Sequence, residues 1–320
     1  MSVKNHWQGR IDIDNGDTRR WHQVVQFWSD QHSKSAVGLL GYPTDDGVLA
    51  NHGRGGAADG PQALRRAMAN LPWCIAGTLT DYGDSHIAGS VYTNQKQYAE
   101  RLSHCLTHSS VMLGLGGGHD IARASFMGLQ DYLQQPKRLG LLNFDAHLDL
   151  RNPDNGATSG TPFYDIAQWC HHNNRLFHYA CLGVSSAANT RALFARASTL
   201  HVTLLEDISY TPAAASSLLS AWLAGLDELY VTVCMDVFNG SEAPGVSAPA
   251  AVGMAPRDII QTIRWLGNFC HDNEIAWRLS DIAELSPSND TENQTARLAA
   301  RIAFELVGAM SVQHKLAGTP

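Results

Sequence analysis

Two aspartates and a histidine occupy alternate positions after an apolar run, as Asp145, His147 and Asp149. Alternate residues of an extended backbone point to the same side, so these three side chains can converge on one point. The apolar run at 139–142 predicts a strand, and open α/β sheets bind ligands at the carboxyl ends of their strands. Two carboxylates and an imidazole suit Mn²⁺, Fe²⁺ or Zn²⁺. A solvated polar turn explains the pattern equally well, because so short a motif often arises by chance.

A glycine-rich segment at 114–120 also follows an apolar run and offers another candidate ligand, His119. Its glycines let the backbone turn tightly and approach a site closely. The dinucleotide-binding pattern G-x-G-x-x-G fails, because His119 stands where the last glycine is required. Taken alone, the segment is more simply a turn in which Asp120 caps the next helix.

A third apolar run, at 229–235, ends in Cys234 and Asp236, which share a face because they are two positions apart. A buried free cysteine is commonly only a small apolar residue. Metal-binding side chains at three strand ends nevertheless favour one shared site more strongly than any single motif does. The patterns H-E-x-x-H and G-x-S-x-G are absent, which disfavours a zincin or a serine hydrolase.

The elements that must position these residues follow from the hydrophobic pattern. Seven short apolar runs predict strands buried on both faces of a parallel sheet, with helices between them. We therefore expect one doubly wound α/β domain over 1–320, with 1–30 as an N-terminal extension. Residues 41–60 are expected to form a long functional loop. The predicted strands are 36–40, 111–115, 139–144, 176–184, 201–205, 229–235 and 275–282, and the predicted helices are 62–70, 93–107, 121–133, 190–197, 212–224, 256–270 and one beginning near 289–290.

The composition restricts the class of partner. The chain has 320 residues, of which 44% are hydrophobic and 17% charged, as is typical of a globular protein. Its formal charge of −7 gives no electrostatic reason to expect nucleic acid or an anionic membrane as partner. None of the six cysteines forms a C-x-x-C pair, and the polar N-terminus lacks the apolar segment of a secretory signal. We therefore expect a cytoplasmic protein that binds a small-molecule substrate.

Five blocks of sequence resemble the ureohydrolases, the arginase and agmatinase family: 51–61, 116–120, 145–151, 234–249 and 284–287. The resemblance implies an α/β fold, the arginase-like three-layer αβα sandwich with a parallel sheet, and a binuclear Mn²⁺ centre. It places the metal ligands on His119, Asp145, His147, Asp149 and Asp236, and a sixth position, an aspartate in most of the family, is Cys234 here. A thiolate is softer than a carboxylate, so three alternatives stay open. Cys234 is a metal ligand, or it weakens the second metal site, or the enzyme binds a single metal ion.

Several departures from the arginase pattern resemble the branch that hydrolyses N-formimidoyl-L-glutamate to L-glutamate and formamide in histidine degradation. They include Gly-Gly-Gly-His at 116–119, Ser159 and Arg151. Arg151 is expected to bind a substrate carboxylate, because its planar donors match one, and Ser159 to shape the same pocket.

The resemblance implies attack by a metal-activated hydroxide on the amidine carbon. Asp149 is expected to take a proton from the nucleophile, and Glu284 to hold the cationic amidinium. Two alternatives stay open: another ureohydrolase, of agmatinase or guanidinobutyrase type, or a non-catalytic binding protein, which only Cys234 encourages. A homo-oligomer is one option for the assembly.

Overall fold

Nine parallel strands form a single sheet in the structure, a computed structural model that describes residues 3–29 and 34–313. The strands are β1 Val25–Phe27, β2 Ser35–Tyr42, β3 Leu79–Asp84, β4 Ser109–Gly116, β5 Leu139–Phe144, β6 His178–Val184, β7 Thr203–Glu206, β8 Glu228–Cys234 and β9 Ala276–Ala283. Their order across the sheet is β1-β3-β2-β4-β9-β8-β5-β6-β7. All residues of β2, β5 and β8 are buried, as the continuous apolar runs predict.

Helices cover both faces of this sheet. They are α1 Trp21–Val24, α2 Asp46–Ala50, α3 Gly60–Met68, α4 Val91–His108, α5 Ile121–Leu133, α6 Pro162–His172, α7 Arg191–Thr199, α8 Pro212–Leu223, α9 Pro256–Asp272 and α10 Gln294–Gln313. Leu141 of β5 packs in one core with side chains of α4, α5 and α6, and the next residue, Leu142, packs in a second core with side chains of α3, α8, α9 and α10. Successive strand residues point to opposite faces, so the predicted three-layer αβα sandwich is confirmed.

The expected loop at 41–60 is partly wrong, since it contains the short helix α2 and the start of α3. The last helix also begins later than expected, at Gln294. The Asp290 carboxylate accepts hydrogen bonds from the backbone N–H of Thr295 at 2.9 Å and of Ala296 at 3.0 Å. Asp290 therefore caps the helix from a preceding turn, because the first N–H groups of a helix need outside acceptors.

The described part of the predicted N-terminal extension packs on the rest of the chain. Its strand β1 pairs with β3 at the sheet edge, and Trp7 and Trp21 are buried. The single domain over 1–320 stays a prediction. Among the residues that the structure describes, no helix is long and apolar enough to cross a membrane.

Candidate active site

The candidate residues follow four neighbouring strands of the sheet, β4, β9, β8 and β5. Parallel strands end at the same edge, so the segments that follow them lie side by side. His119 comes after β4, Glu284 after β9, Cys234 and Asp236 at the end of β8, and Asp145 after β5. The sheet thus gathers residues that are up to 165 positions apart, as with His119 and Glu284.

Two groups of metal-binding atoms lie at this edge and share one residue. Donor atoms of His119, Asp145 and Cys234 lie within 4.8 Å of one another, and so do donor atoms of Asp145, His147 and Asp236. We call these the His119 cluster and the His147 cluster. Asp145 belongs to both, and it is fully buried. One carboxylate shared by two sets of donors would allow two cations to be held close together, as in two-metal hydrolases.

Asp149 joins the His119 cluster by a different route from the one expected. Its Oδ2 lies 2.9 Å from His119 Nδ1, the same distance as Asp145 Oδ2. The extended backbone, however, ends at Phe144, and Asp149 adopts the left-handed φ of 47°. The alternation argument is therefore wrong beyond the strand. A turn, in which His147 N–H donates to Asp145 Oδ1 at 2.7 Å, brings the three side chains together instead.

The residues fit a cation, because a buried carboxylate oxygen here lacks another partner. Asp236 Oδ1 is buried and has no hydrogen-bond partner among the described residues, and His119 Nδ1 lies 2.9 Å from both Asp145 Oδ2 and Asp149 Oδ2. Buried polar groups are nearly always satisfied, so exceptions need a physical reason. A cation bound at the His147 cluster would supply one, since it would accept a lone pair of Asp236 Oδ1.

The electrostatics of the site also favour a cation. Burial, together with the charge of Asp145, raises the pKa of Asp149 to about 6. Burial and the charge of Asp236 raise the pKa of Glu284 to about 8. Carboxyl groups crowded away from water repel one another when ionised, and positive charge at the clusters would relieve that repulsion.

Both clusters open into a cavity of about 300 Å³, which Glu284, Arg151 and Ser159 also line. Ser159 is held by its backbone N–H, which donates to Gly47 O at 2.9 Å. Arg151 is exposed, and its N–H donates to Gly160 O at 2.8 Å. A side chain on Gly160 would place its Cβ 2.7 Å from Arg151 Cδ, so this glycine leaves room for the arginine at the cavity.

Comparison with known proteins decides the family. The sequence model of the arginase family matches residues 35–308. The chain belongs to the arginase family. A formimidoylglutamase from Hahella chejuensis is 42% identical over 317 residues, which cover 97% of this chain and 96% of the relative. Another from Aromatoleum aromaticum is 43% identical over 316 residues, covering 94% of this chain and 91% of the relative.

Solved structures agree with this arginase-family fold. A crystal structure of formiminoglutamase from Trypanosoma cruzi with Mn²⁺ aligns with a TM-score of 0.79 at 22% identity, covering 92% of this chain and 99% of the other. Formimidoylglutamase from Bacillus subtilis aligns with a TM-score of 0.78 at 19% identity and covers 95% of both chains. At these identities the likeness shows the fold alone, and it matches the predicted arginase-like sandwich.

Cys234 lies where the arginase-family resemblance places an aspartate. Burial, with the nearby charges of Asp145 and Asp236, holds the pKa of its thiol well above the ordinary range. A thiolate, which is the form that binds metal, needs a positive neighbour to be stable. A cation in the His119 cluster would therefore stabilise the thiolate form of Cys234 and allow it to act as a ligand.

Asn189 contributes to this arginase-family site although no motif pointed to it. It lines the cavity, and its side chain clamps the backbone on both sides of His147. Oδ1 accepts from Leu148 N–H at 3.0 Å, and Nδ2 donates to Ala146 O at 2.9 Å. Leu148 and Ala146 lie more than 40 positions away along the chain, so local sequence patterns carry no trace of these two contacts.

Proposed function

We propose that this protein hydrolyses N-formimidoyl-L-glutamate to L-glutamate and formamide, a reaction of histidine degradation. One observation carries the proposal. A single cavity is lined by Glu284, by Arg151 and by residues of the two donor clusters, which have Asp145 in common. The donor clusters suit metal-assisted hydrolysis. Glu284 suits a cationic amidine, and Arg151 suits a carboxylate of the substrate. Relatives named formimidoylglutamase, at 42% and 43% identity over nearly the whole chain, support it.

A pair of Mn²⁺ ions would be held by the two clusters together with Asp149. Divalent cations bound there would lower the pKa of water and so provide hydroxide near neutral pH. The orphaned Asp236 Oδ1 supports this assignment. The proposed ligands are His119, Asp145, His147, Asp149, Cys234 and Asp236.

The protein's own groups would bind the substrate and move its protons. Water adds to the amidine carbon, and the C–N bond to the glutamate nitrogen then breaks, so that the nitrogen leaves as an amine that has gained a proton. Asp149, which lines the cavity, is placed to take the proton of the attacking water and to return it to that amine. Glu284 holds the amidinium by a charge-assisted hydrogen bond, and Ser159 borders the substrate.

The experiment that tests the function is release of formamide from N-formimidoyl-L-glutamate by the Mn²⁺-loaded protein. We expect turnover of this substrate and much weaker turnover of agmatine, which carries no carboxylate for Arg151. Agmatine turned over in preference would favour an agmatinase. No release of formamide by protein that has bound Mn²⁺ would contradict the proposal.

Replacing Arg151 with alanine is expected to raise KM about tenfold or more while kcat changes little. Arg151 would hold a carboxylate and not the amidine group that reacts, and a charge-assisted hydrogen bond is worth about 1.5–3 kcal/mol. Steady-state kinetics with N-formimidoyl-L-glutamate measures the effect. Arg257→Ala is a matched control, since Arg257 is also an exposed arginine but does not line the cavity. An unchanged KM in Arg151→Ala would show that Arg151 does not bind the carboxylate.

Replacing Cys234 with alanine is expected to lower bound Mn²⁺ from two ions per chain, one for each cluster, towards one. The reason is that the His119 cluster loses a donor. Cys234→Asp should keep both ions, because a carboxylate suits Mn²⁺ better than a thiolate. Elemental analysis of the purified proteins measures the metal content. Equal metal content in the parent protein and Cys234→Ala would show that the thiol is not a ligand.

A further inference from the structure

Arg54 lines the same cavity as the donor clusters but takes no part in the proposed chemistry. Its side chain is fixed to a segment that follows β8, because Nε donates to Ser247 O at 2.9 Å and Nη2 donates to Val246 O at 2.7 Å. Its backbone N–H also donates to Ser247 Oγ, at 2.8 Å. A free arginine side chain has many rotamers, so the contacts that hold this exposed one at the cavity need an explanation.

These contacts leave the charge of Arg54 without a counter-ion. Both side-chain acceptors are backbone carbonyl oxygens, which carry no net charge, and Arg54 forms no ion pair with any residue that the structure describes. A guanidinium has five N–H donors, and the two hydrogen bonds use only two of them. Arg54 therefore offers the cavity a permanent positive charge and free donors.

One other residue of the cavity has the same property. Among the described residues that line it, Arg54 and Arg151 are the only arginines, and none is a lysine. The loops that carry these two arginines are in contact, since Thr158 Oγ1 donates to Asn51 Oδ1 at 3.4 Å. The cavity therefore receives two permanent positive charges from adjoining loops.

The proposed substrate has two carboxylates, one on the carbon next to the reacting nitrogen and one at the end of the side chain. A carboxylate that leaves water for a protein cavity needs charged donors in compensation. Arg151 is proposed to bind one of the two, which leaves the other without a partner. The planar donors of a guanidinium match a carboxylate, and Arg54 is the remaining guanidinium at the cavity.

We propose that Arg54 binds one carboxylate of the substrate while Arg151 binds the other, so that the cavity selects a dicarboxylate. The proposal rests on the proposed function and adds a second specificity residue to it. It also explains the hydrogen bonds from Arg54 to the carbonyl groups of Val246 and Ser247. A side chain that is already held in place loses less conformational entropy when the substrate binds.

The test compares N-formimidoyl-L-glutamate with two analogues that each lack one carboxylate, using Mn²⁺-loaded protein. N-formimidoyl-γ-aminobutyrate lacks the carboxylate next to the reacting nitrogen, and N-formimidoyl-L-norvaline lacks the one in the side chain. We expect Arg54→Ala to lower kcat/KM about tenfold or more for N-formimidoyl-L-glutamate and for one analogue, mainly through KM. The other analogue, which lacks the carboxylate that Arg54 binds, should show no loss. Arg151→Ala should give the same pattern with the two analogues exchanged.

A matched control is Arg297→Ala. Arg297 is also an exposed arginine whose guanidinium donates to a backbone carbonyl, with Nη1 2.6 Å from Glu292 O, but it does not line the cavity. Its replacement should leave kcat/KM unchanged for all three substrates. Arg54→Gln removes the charge but keeps a donor for the carbonyl groups, and it should show the same pattern as Arg54→Ala. It takes the place of Arg54→Ala if that variant does not fold.

An equal loss with all three substrates would overturn this proposal, because Arg54 would then only hold two loops together. Unchanged kcat/KM for N-formimidoyl-L-glutamate would also overturn it, and so would losses that disappear with the same analogue in Arg54→Ala and Arg151→Ala. In each of these cases the parent protein still releases formamide, so the proposed function stands. No release of formamide by the Mn²⁺-loaded parent protein would overturn the proposed function and this proposal with it.

Discussion

Replacing Asp145 with asparagine is expected to abolish Mn²⁺ binding at both donor clusters and to reduce kcat/KM by about 10³-fold or more. Asp145 is the only residue that the two clusters share, and an amide cannot supply the negative charge that its carboxylate would offer to both. Metal ions contribute several kcal/mol of transition-state stabilisation, and each 1.36 kcal/mol is tenfold in rate. No other single substitution at the site removes a donor from both clusters.

Metal content, kinetics and thermal unfolding together measure this effect. Parent protein should unfold at a higher temperature when Mn²⁺ is added, because a ligand that binds only the native state stabilises it. That increase should disappear in Asp145→Asn. His147→Asn is the comparison, since His147 belongs to one cluster only and its loss should spare one ion. Two tightly bound ions in Asp145→Asn would refute the shared role of Asp145.

The strands that sequence predicts best are those that follow a nearly continuous apolar run. The bounds of β5 were predicted to the residue, and all six of its residues are buried. The strands β1 and β3 were missed, and β3 shows why. Its Asp81 is buried by partners distant in the chain, with Oδ2 accepting from Trp7 Nε1 at 2.8 Å and from Arg65 Nε at 2.9 Å. A polar residue in a short segment argues against a strand until such partners are known.

The candidate ligands could be proposed from residue type and from their place after apolar runs, because parallel strands end at one edge. The contacts that hold these ligands in place could not be proposed from the sequence. Asp149 reaches His119 through a turn with a φ of 47°, which no spacing rule predicts. Asn189 acts on the backbone beside His147 from another loop. Such contacts depend on the folded backbone, not on local pattern.

Replacing Glu284 with glutamine is expected to reduce kcat/KM by about 30-fold or more. Glu284 adopts the left-handed φ of 67°, and its Oε1 accepts the His119 N–H at 2.9 Å. The carbonyl oxygen of a glutamine can keep that bond, which turns its NH₂ group towards the cavity. Donors would then face the cationic amidinium of the substrate. Removing one partner of a buried charge pair costs about 2–5 kcal/mol, which is about 30-fold or more in rate.

Metal content separates this effect from damage to the donor clusters. Glu284 belongs to neither cluster, so Glu284→Gln should bind as much Mn²⁺ as the parent protein while it loses activity. Glu100→Gln makes the same exchange on the surface of α4, where the side chain is 63% exposed, and should leave kcat/KM unchanged. If Glu284→Gln keeps full activity, the amidinium is bound elsewhere. If it loses Mn²⁺ instead, Glu284 supports the metal site, and its carboxylate acts through His119 and not on the substrate.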